Sequence, residues 1–189
     1  YPLNARFCNV VCSIKSGTGK RRYYAVAAVP ALKDDPVILM ASDDQGVTWK
    51  QLTGLTAKAN TTVDIAVSPN ASGTVYVLAT EDQTVYKSTN SGSSWTDINL
   101  NLNTLTHPGK EDLWDQSDYD YFLACSSAKV NNVSRDVLYV GLKEIYQLPD
   151  GKNWNSFGGI WGSDPKLHTD QHSVAIHPTD PNQGLFGND

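Results

Sequence analysis

Two stretches of this chain share an order of residues that few folds accommodate: Ala41 to Leu52, ASDDQGVTWKQL, and Lys87 to Ile98, KSTNSGSSWTDI. Each passes through Ser, an Asp or Asn, and Gly, which is turn chemistry, and then meets a Trp, whose size and apolarity favour burial. Ser42 and Ser88 stand 46 residues apart, a spacing that suits a repeated supersecondary unit better than an isolated turn. A worn third copy, QLPDGKNW at Gln147 to Trp154, keeps Gly151 and Trp154 and loses the Ser and the Asp.

The repeat is wider than the turn. DIAVSPNASGTVYVLATEDQTVYKSTNSGSSW reads as strand, Pro-Asn turn, strand, short turn, strand, Ser-Asn-Gly turn and Trp. SVAIHPTDPNQGLFGND starts the same series again, with Ala175 and Pro178 matching Ala66 and Pro69 at one offset of 109. Short runs rich in β-branched and aromatic residues predict strands over Tyr23–Val29, Val37–Ser42, Thr62–Ser68, Thr74–Thr80, Thr84–Ser88, Asp120–Ser127, Asp136–Leu142 and Ser173–His177. No long stretch keeps a helical period, so the expected class is all-β.

The pattern Ser42-x-Asp44-x-Gly46-x-Thr48-Trp49, repeated as Ser88-x-Asn90-x-Gly92-x-Ser94-Trp95, resembles the Asp-box. Asp-boxes are the S-x-D-x-G-x-[ST]-W repeats of sialidases, xyloglucanase-type glycoside hydrolases, sortilin-like receptors and related BNR-repeat β-propellers. The resemblance covers roughly Val26 to Asp189. It implies four-stranded blades, each box being the hairpin between the outer two strands, with the innermost strand lining a central channel. In such a turn the Asp carboxylate closes an Asx-turn on backbone N–H groups, Gly takes the positive φ, and the Trp packs beneath. The structural residues are therefore Ser42, Asp44, Gly46, Trp49, Ser88, Asn90, Gly92, Trp95, Gly151 and Trp154. Residues 1–189 are expected to hold about four blades, the last incomplete, as part of a larger propeller whose remaining blades or other chains are partners.

Charge narrows the function classes. A net charge of −5 and a pI near 5.2, with Lys20-Arg21-Arg22 as the one basic cluster, argue against nucleic acid. No apolar run approaches the ~20 residues of a membrane-spanning helix. Cys8, Cys12 and Cys125 fit no metal motif; a bridge from either of the first two to Cys125 and buried free thiols both remain open. Sequons at Asn60, Asn70 and Asn132 permit glycosylation in a eukaryotic secretory context. SGTGK, Ser16 to Lys20, lacks the full phosphate-loop spacing and predicts a hairpin turn.

The most chemically loaded stretch is KLHTDQHSVAIHP. On a strand, alternation would put His168, Asp170 and His172 on one face. Three readings are open: a ligand or catalytic site with Asp170 as the acid or base, a His-Asp-His divalent-metal site, and a buried network joining neighbouring blades. His177 falls outside this alternation, beside the Pro178 turn. The second candidate is GKEDLWDQSDYDYFL, where Trp114, Tyr119 and Tyr121 suit stacking on sugar rings and Asp112, Asp115, Asp118 and Asp120 supply carboxylates. Its bland counterpart is a solvated loop leading into a strand with core aromatics. Glycoside hydrolysis uses two carboxylates, for which Asp170 and Asp115 are the pair put forward. Sialidase chemistry is disfavoured, because the arginine cluster that family uses on its substrate carboxylate is not apparent among Arg6, Arg21, Arg22 and Arg135. The expectation is an extracellular, glycosyl-hydrolase-like propeller without a cofactor, acting on or binding a polysaccharide. The alternative is a non-catalytic module presenting a protein- or glycan-binding face.

Overall fold

The computed structural model describes residues 6–28, 37–58, 61–100, 102, 114–149, 153–156, 168–177, 180 and 183–189. Every regular element among them with ladder pairing is a strand. The chain divides into two compact units, 1–99 and 100–189.

The first unit holds two antiparallel meanders of four strands. One is β1 (Arg6–Cys12), β2 (Tyr23–Ala28), β3 (Val37–Ser42) and β4 (Lys50–Leu52); the other is β5 (Val63–Val67), β6 (Val75–Ala79), β7 (Thr84–Ser88) and β8 (Thr96–Asp97). SGTGK makes the β1–β2 turn, with Ser16 N–H donating to Lys20 O and Gly19 at φ +78°. The central strands are buried along much of their length, as their Val, Leu, Ile and Tyr content requires. Tyr24, Leu39, Ile65 and Val77 belong to the shared core, against which Trp95 and Leu52 also pack. The first strands of the two sheets are joined by Asn9 Nδ2, which donates to Asp64 Oδ1 at 2.7 Å.

The second unit holds one four-stranded meander and one two-stranded sheet. The meander is β9 (Phe122–Val130), β10 (Val133–Gly141), β11 (Ile145–Leu148) and β12 (Asn155–Ser156); the pair is β13 (Gln171–Ile176) and β14 (Gly184–Asn188). Asn131 and Asn132, both at positive φ, turn β9 into β10. Phe122, Val137, Tyr139 and Ile145 form the core, with Val174, Ile176 and Phe186 of the two-stranded sheet packed against it. His177 N–H donates to Gln183 O and closes the β13–β14 loop, in keeping with its place outside the alternation.

The boxes lie between β3 and β4 and between β7 and β8, the outer hairpins that the Asp-box resemblance implies. In the first, Asp44 Oδ1 accepts from Thr48 N at 2.8 Å and Oδ2 from Thr48 Oγ1 at 2.5 Å. These bonds to Thr48, with a further one from Ser42, hold the Asp44 carboxyl down at about 2. The serine does as much as the acid: Ser42 Oγ donates to Asp44 Oδ1 at 2.7 Å and accepts from Gly46 N at 2.9 Å. The second box repeats this with Asn90, whose Oδ1 accepts from Ser94 N at 2.9 Å, and with Ser88 Oγ accepting from Gly92 N at 2.8 Å. Both box glycines sit at φ +87°, and a Cβ on either would lie 3.6 Å from Cζ2 of its own box Trp. The Trp therefore covers the turn and is half-buried rather than enclosed; Trp49 Nε1 donates to Gly46 O at 3.0 Å. Arg22 ties the two boxes together by a two-pronged pair with Asp43 and a bond from Nη1 to Ser91 O at 3.1 Å.

Ser88 is 1% exposed, so removing its hydroxyl leaves the buried Gly92 N–H without its acceptor. Ser88→Ala is expected to cost about 2 kcal/mol, read from urea unfolding. A loss below about 0.5 kcal/mol would mean that the box serine is dispensable.

The worn third copy lies between β11 and β12. Gln147, at the serine position, is buried and donates through Nε2 to Tyr139 OH at 2.8 Å, so its side chain serves the sheet rather than the turn. Trp154 is half-buried, and Gly151 lies outside the described residues. Cys12 is a free thiol and Cys125 donates through Sγ to Ser126 O at 3.7 Å; the Cys8 side chain lies outside the described residues. No helix among the described residues is long and apolar enough to cross a membrane.

Candidate functional site

The chemistry-bearing residues of the second unit meet where β13 begins. β13 starts at Gln171, and the residue before it, Asp170, has φ +67°, in the left-handed region. The strand alternation expected of His168, Asp170 and His172 therefore does not exist. An Asp tolerates this conformation better than most residues, which is how the chain turns sharply into the strand. His168 is exposed and its Nδ1 lies 3.0 Å from Thr169 O, while its own carbonyl accepts from Gln171 Nε2 at 2.6 Å and Asn188 Nδ2 at 3.1 Å. The entry is fixed by the β10–β11 turn: Asp170 N–H donates to Lys143 O and Gln171 N–H to Leu142 O.

His172 occupies a β-bulge. Gln171 pairs with Asn188 and Ser173 with Gly187, so His172 is the extra residue between them. Such a bulge re-aims one side chain. The imidazole stands between two carboxylates, Nδ1 being 3.3 Å from Asp120 Oδ1 and Nε2 2.9 Å from Asp189 Oδ1. The ring of Tyr119 meets it edge-on, with centroids 4.8 Å apart. Tyr119 and Asp120 are presented by the turn from Trp114, in which the N–H groups of both donate to Gln116 O.

Burial differs sharply across this group. The Asp120 side chain is 1% exposed and neither oxygen receives a hydrogen bond among the described residues, whereas Tyr119 is 65% and Asp189 59% exposed. Desolvation first, then the charges of Asp170, Asp189 and Asp118, push the Asp120 carboxyl up to about 6 against the opposing pull of His172. The Gln171 amide oxygen is also buried without a donor among the described residues.

Of the residues singled out by sequence, His172, Tyr119, Asp120 and Asp170 come to this site. Asp115 is exposed, and its carboxylate pairs with Lys143 Nζ at 3.0 Å, the residue whose carbonyl accepts from Asp170 N–H. Trp114 is 7% exposed and anchors the turn, so it offers no stacking face. Tyr121 is half-buried at the entry to β9, and Asp112 lies outside the described residues. No group of three or more His, Cys, Asp or Glu side chains is arranged to hold a metal among the described residues, and the His168-Asp170-His172 triplet does not converge. Asp120 was one of four equivalent loop acids in the sequence, and nothing local distinguishes it. Asp189 carried no signal, because its approach to His172 is made by the β13–β14 pairing.

The Sortilin-Vps10 family model, described as sortilin, neurotensin receptor 3, matches residues 38–157. No curated protein matches the chain. Among solved structures, YCF48 from Cyanidioschyzon merolae aligns with a TM-score of 0.54 at 13% identity, over 93% of this chain and 48% of that one. A structure titled NanB plus Optactamide aligns with a TM-score of 0.51 at 13% identity, over 96% of this chain and 27% of that one. Both are BNR-type β-propellers, and at this identity they bear on the fold alone. The chain thus spans about half the length of the first and about a quarter of the second.

Proposed function

This chain belongs to the Sortilin-Vps10 family of Asp-box β-propellers, and from that premise we propose that it is the ligand-contacting part of an extracellular or luminal propeller that binds a polysaccharide. Within that ring β1–β4, β5–β8 and β9–β12 serve as complete blades and β13–β14 as the inner half of another. The observation that carries the binding site is the exposed Tyr119 ring set edge-on to His172, with the exposed Asp189 carboxylate on the far side of the imidazole. A sugar needs an apolar face to lie on and fixed polar groups to receive its hydroxyls. Tyr119 supplies the first, and Asp189, His172 and Asp170 supply the second. Calorimetric titration with soluble oligosaccharides is the test. Saturable binding that weakens at least about tenfold in Tyr119→Ala, with an unchanged circular dichroism spectrum, is expected from the loss of one stacking face. Absence of any saturable glycan would remove the reading.

A second reading, glycoside hydrolysis, is favoured by the Asp120 carboxyl at about 6, a value suited to a group that gives and takes protons near neutrality. Because Asp120 is enclosed, its proton would have to pass by way of His172, with Asp170 or Asp189 as the second carboxylate. Asp170→Asn is the discriminating variant, since Asn also accepts the left-handed backbone. Abolished turnover with retained binding supports hydrolysis; unchanged turnover, or no turnover in the unsubstituted protein, leaves the binding module.

A further inference from the structure

The electrostatics around His172 select among glycans. Asp120 is enclosed, neither of its oxygens receives a hydrogen bond among the described residues, and the charges of Asp118, Asp170 and Asp189 all bear on it. One imidazole is the only basic side chain joined to this group among the described residues; the nearby Lys143 is already taken by Asp115. Two carboxylates, Asp120 and Asp189, flank the one imidazole, and Asp118 and Asp170 add their charge at Asp120, so acids outnumber bases in this group. A neutral hydroxyl does little for that excess, and an anionic sugar would be repelled. A protonated amine relieves it, donating to the exposed Asp189 and standing within reach of the exposed Tyr119 face, which attracts cations.

We infer that the ligand is a polysaccharide bearing free amino groups, its ammonium seated by the Asp189 carboxylate and the Tyr119 ring, which flank His172. This rests on the glycan-binding reading and narrows it to a substrate class. The fully enclosed Asp120 does not touch the ligand; it holds His172 in place and keeps the local potential negative.

The experiment is a titration of the protein at pH 7 and low salt with three tetrasaccharides: β-1,4-glucosamine, its fully N-acetylated form, and the uncharged glucose analogue. The free amine is expected to bind about tenfold more tightly than the other two, the sum of one exposed ion pair and one cation–π contact. That preference is expected to collapse in 0.5 M salt and in Asp189→Asn, an exposed substitution that leaves the core alone. Equal or tighter binding of the acetylated or uncharged tetramer overturns the inference and keeps the glycan reading. Binding of none of the three, with or without binding of a lysine oligomer, overturns both. A lysine oligomer that binds as tightly as the glucosamine tetramer also overturns the inference, because charge alone would then suffice.

Discussion

Gly141→Val is expected to destabilise the second unit by about 3 kcal/mol, although it exchanges a poor strand former for a good one. Gly141 faces Phe122 across the β9–β10 ladder, and the Phe122 ring lies over the glycine. A Cβ there would stand 2.2 Å from Phe122 Cε1 and 2.3 Å from Cδ1. The ring has little room to move, because Phe122 is 4% exposed, belongs to the core with Val137, Tyr139 and Ile145, and has the Phe186 ring 6.4 Å away, centroid to centroid. Strand propensity returns at most about 1 kcal/mol of the clash. Urea unfolding would read the loss, and the cycle with Phe122→Leu gives the mechanism: the two changes together should cost clearly less than their sum. A single-variant loss under about 0.5 kcal/mol would show that the ring moves freely and that this core is loosely packed.

The glycine illustrates what the sequence did and did not carry. The strands Val37–Ser42 and Thr84–Ser88 were legible residue for residue, because each is a short run rich in apolar, β-branched or aromatic residues that ends on the serine of a box. The outer strands β4, β8 and β12 have three residues or fewer, too short for any period to appear, and only the Asp-box resemblance implied them. Around the site the difficulty is of another kind. The His-x-Asp-x-His spacing reads as alternation only if all five residues are extended, and the left-handed Asp170 followed by the bulge at His172 breaks the alternation twice within three residues. Asp120, Asp189 and His172 lie 17 to 69 positions apart in sequence and meet because β13 runs beside β9 and pairs with β14. Such a meeting is a property of register, which one sequence does not display.

Asp120 should make the protein less stable as pH rises from about 4 to about 6. The carboxyl is raised from 3.8, its ordinary value, to about 6 in the folded chain, chiefly by burial and then by Asp170, Asp189 and Asp118, with His172 opposing them. Over that interval the folded state holds a proton the unfolded chain has released. The derivative of unfolding free energy with pH is therefore negative. Below about pH 4 both states are protonated and the advantage is whole; above about pH 6 both are ionised and it is gone. The rise corresponds to at most about 3 kcal/mol, enough to be a large share of the stability of a unit this size. Other carboxylates titrate in the same range, so the informative quantity is the difference from Asp120→Asn, which keeps the shape and cannot ionise. That variant is expected to gain on the unsubstituted protein progressively from pH 4 to 6 and to hold a constant lead above it, in urea midpoints taken every half unit. A constant difference across the whole range would mean that Asp120 is ionised at pH 4 and that His172 outweighs burial. The acid would then act as a fixed counter-ion to the imidazole, and hydrolysis through this pair would lose its proton donor while glycan binding would keep its negative field.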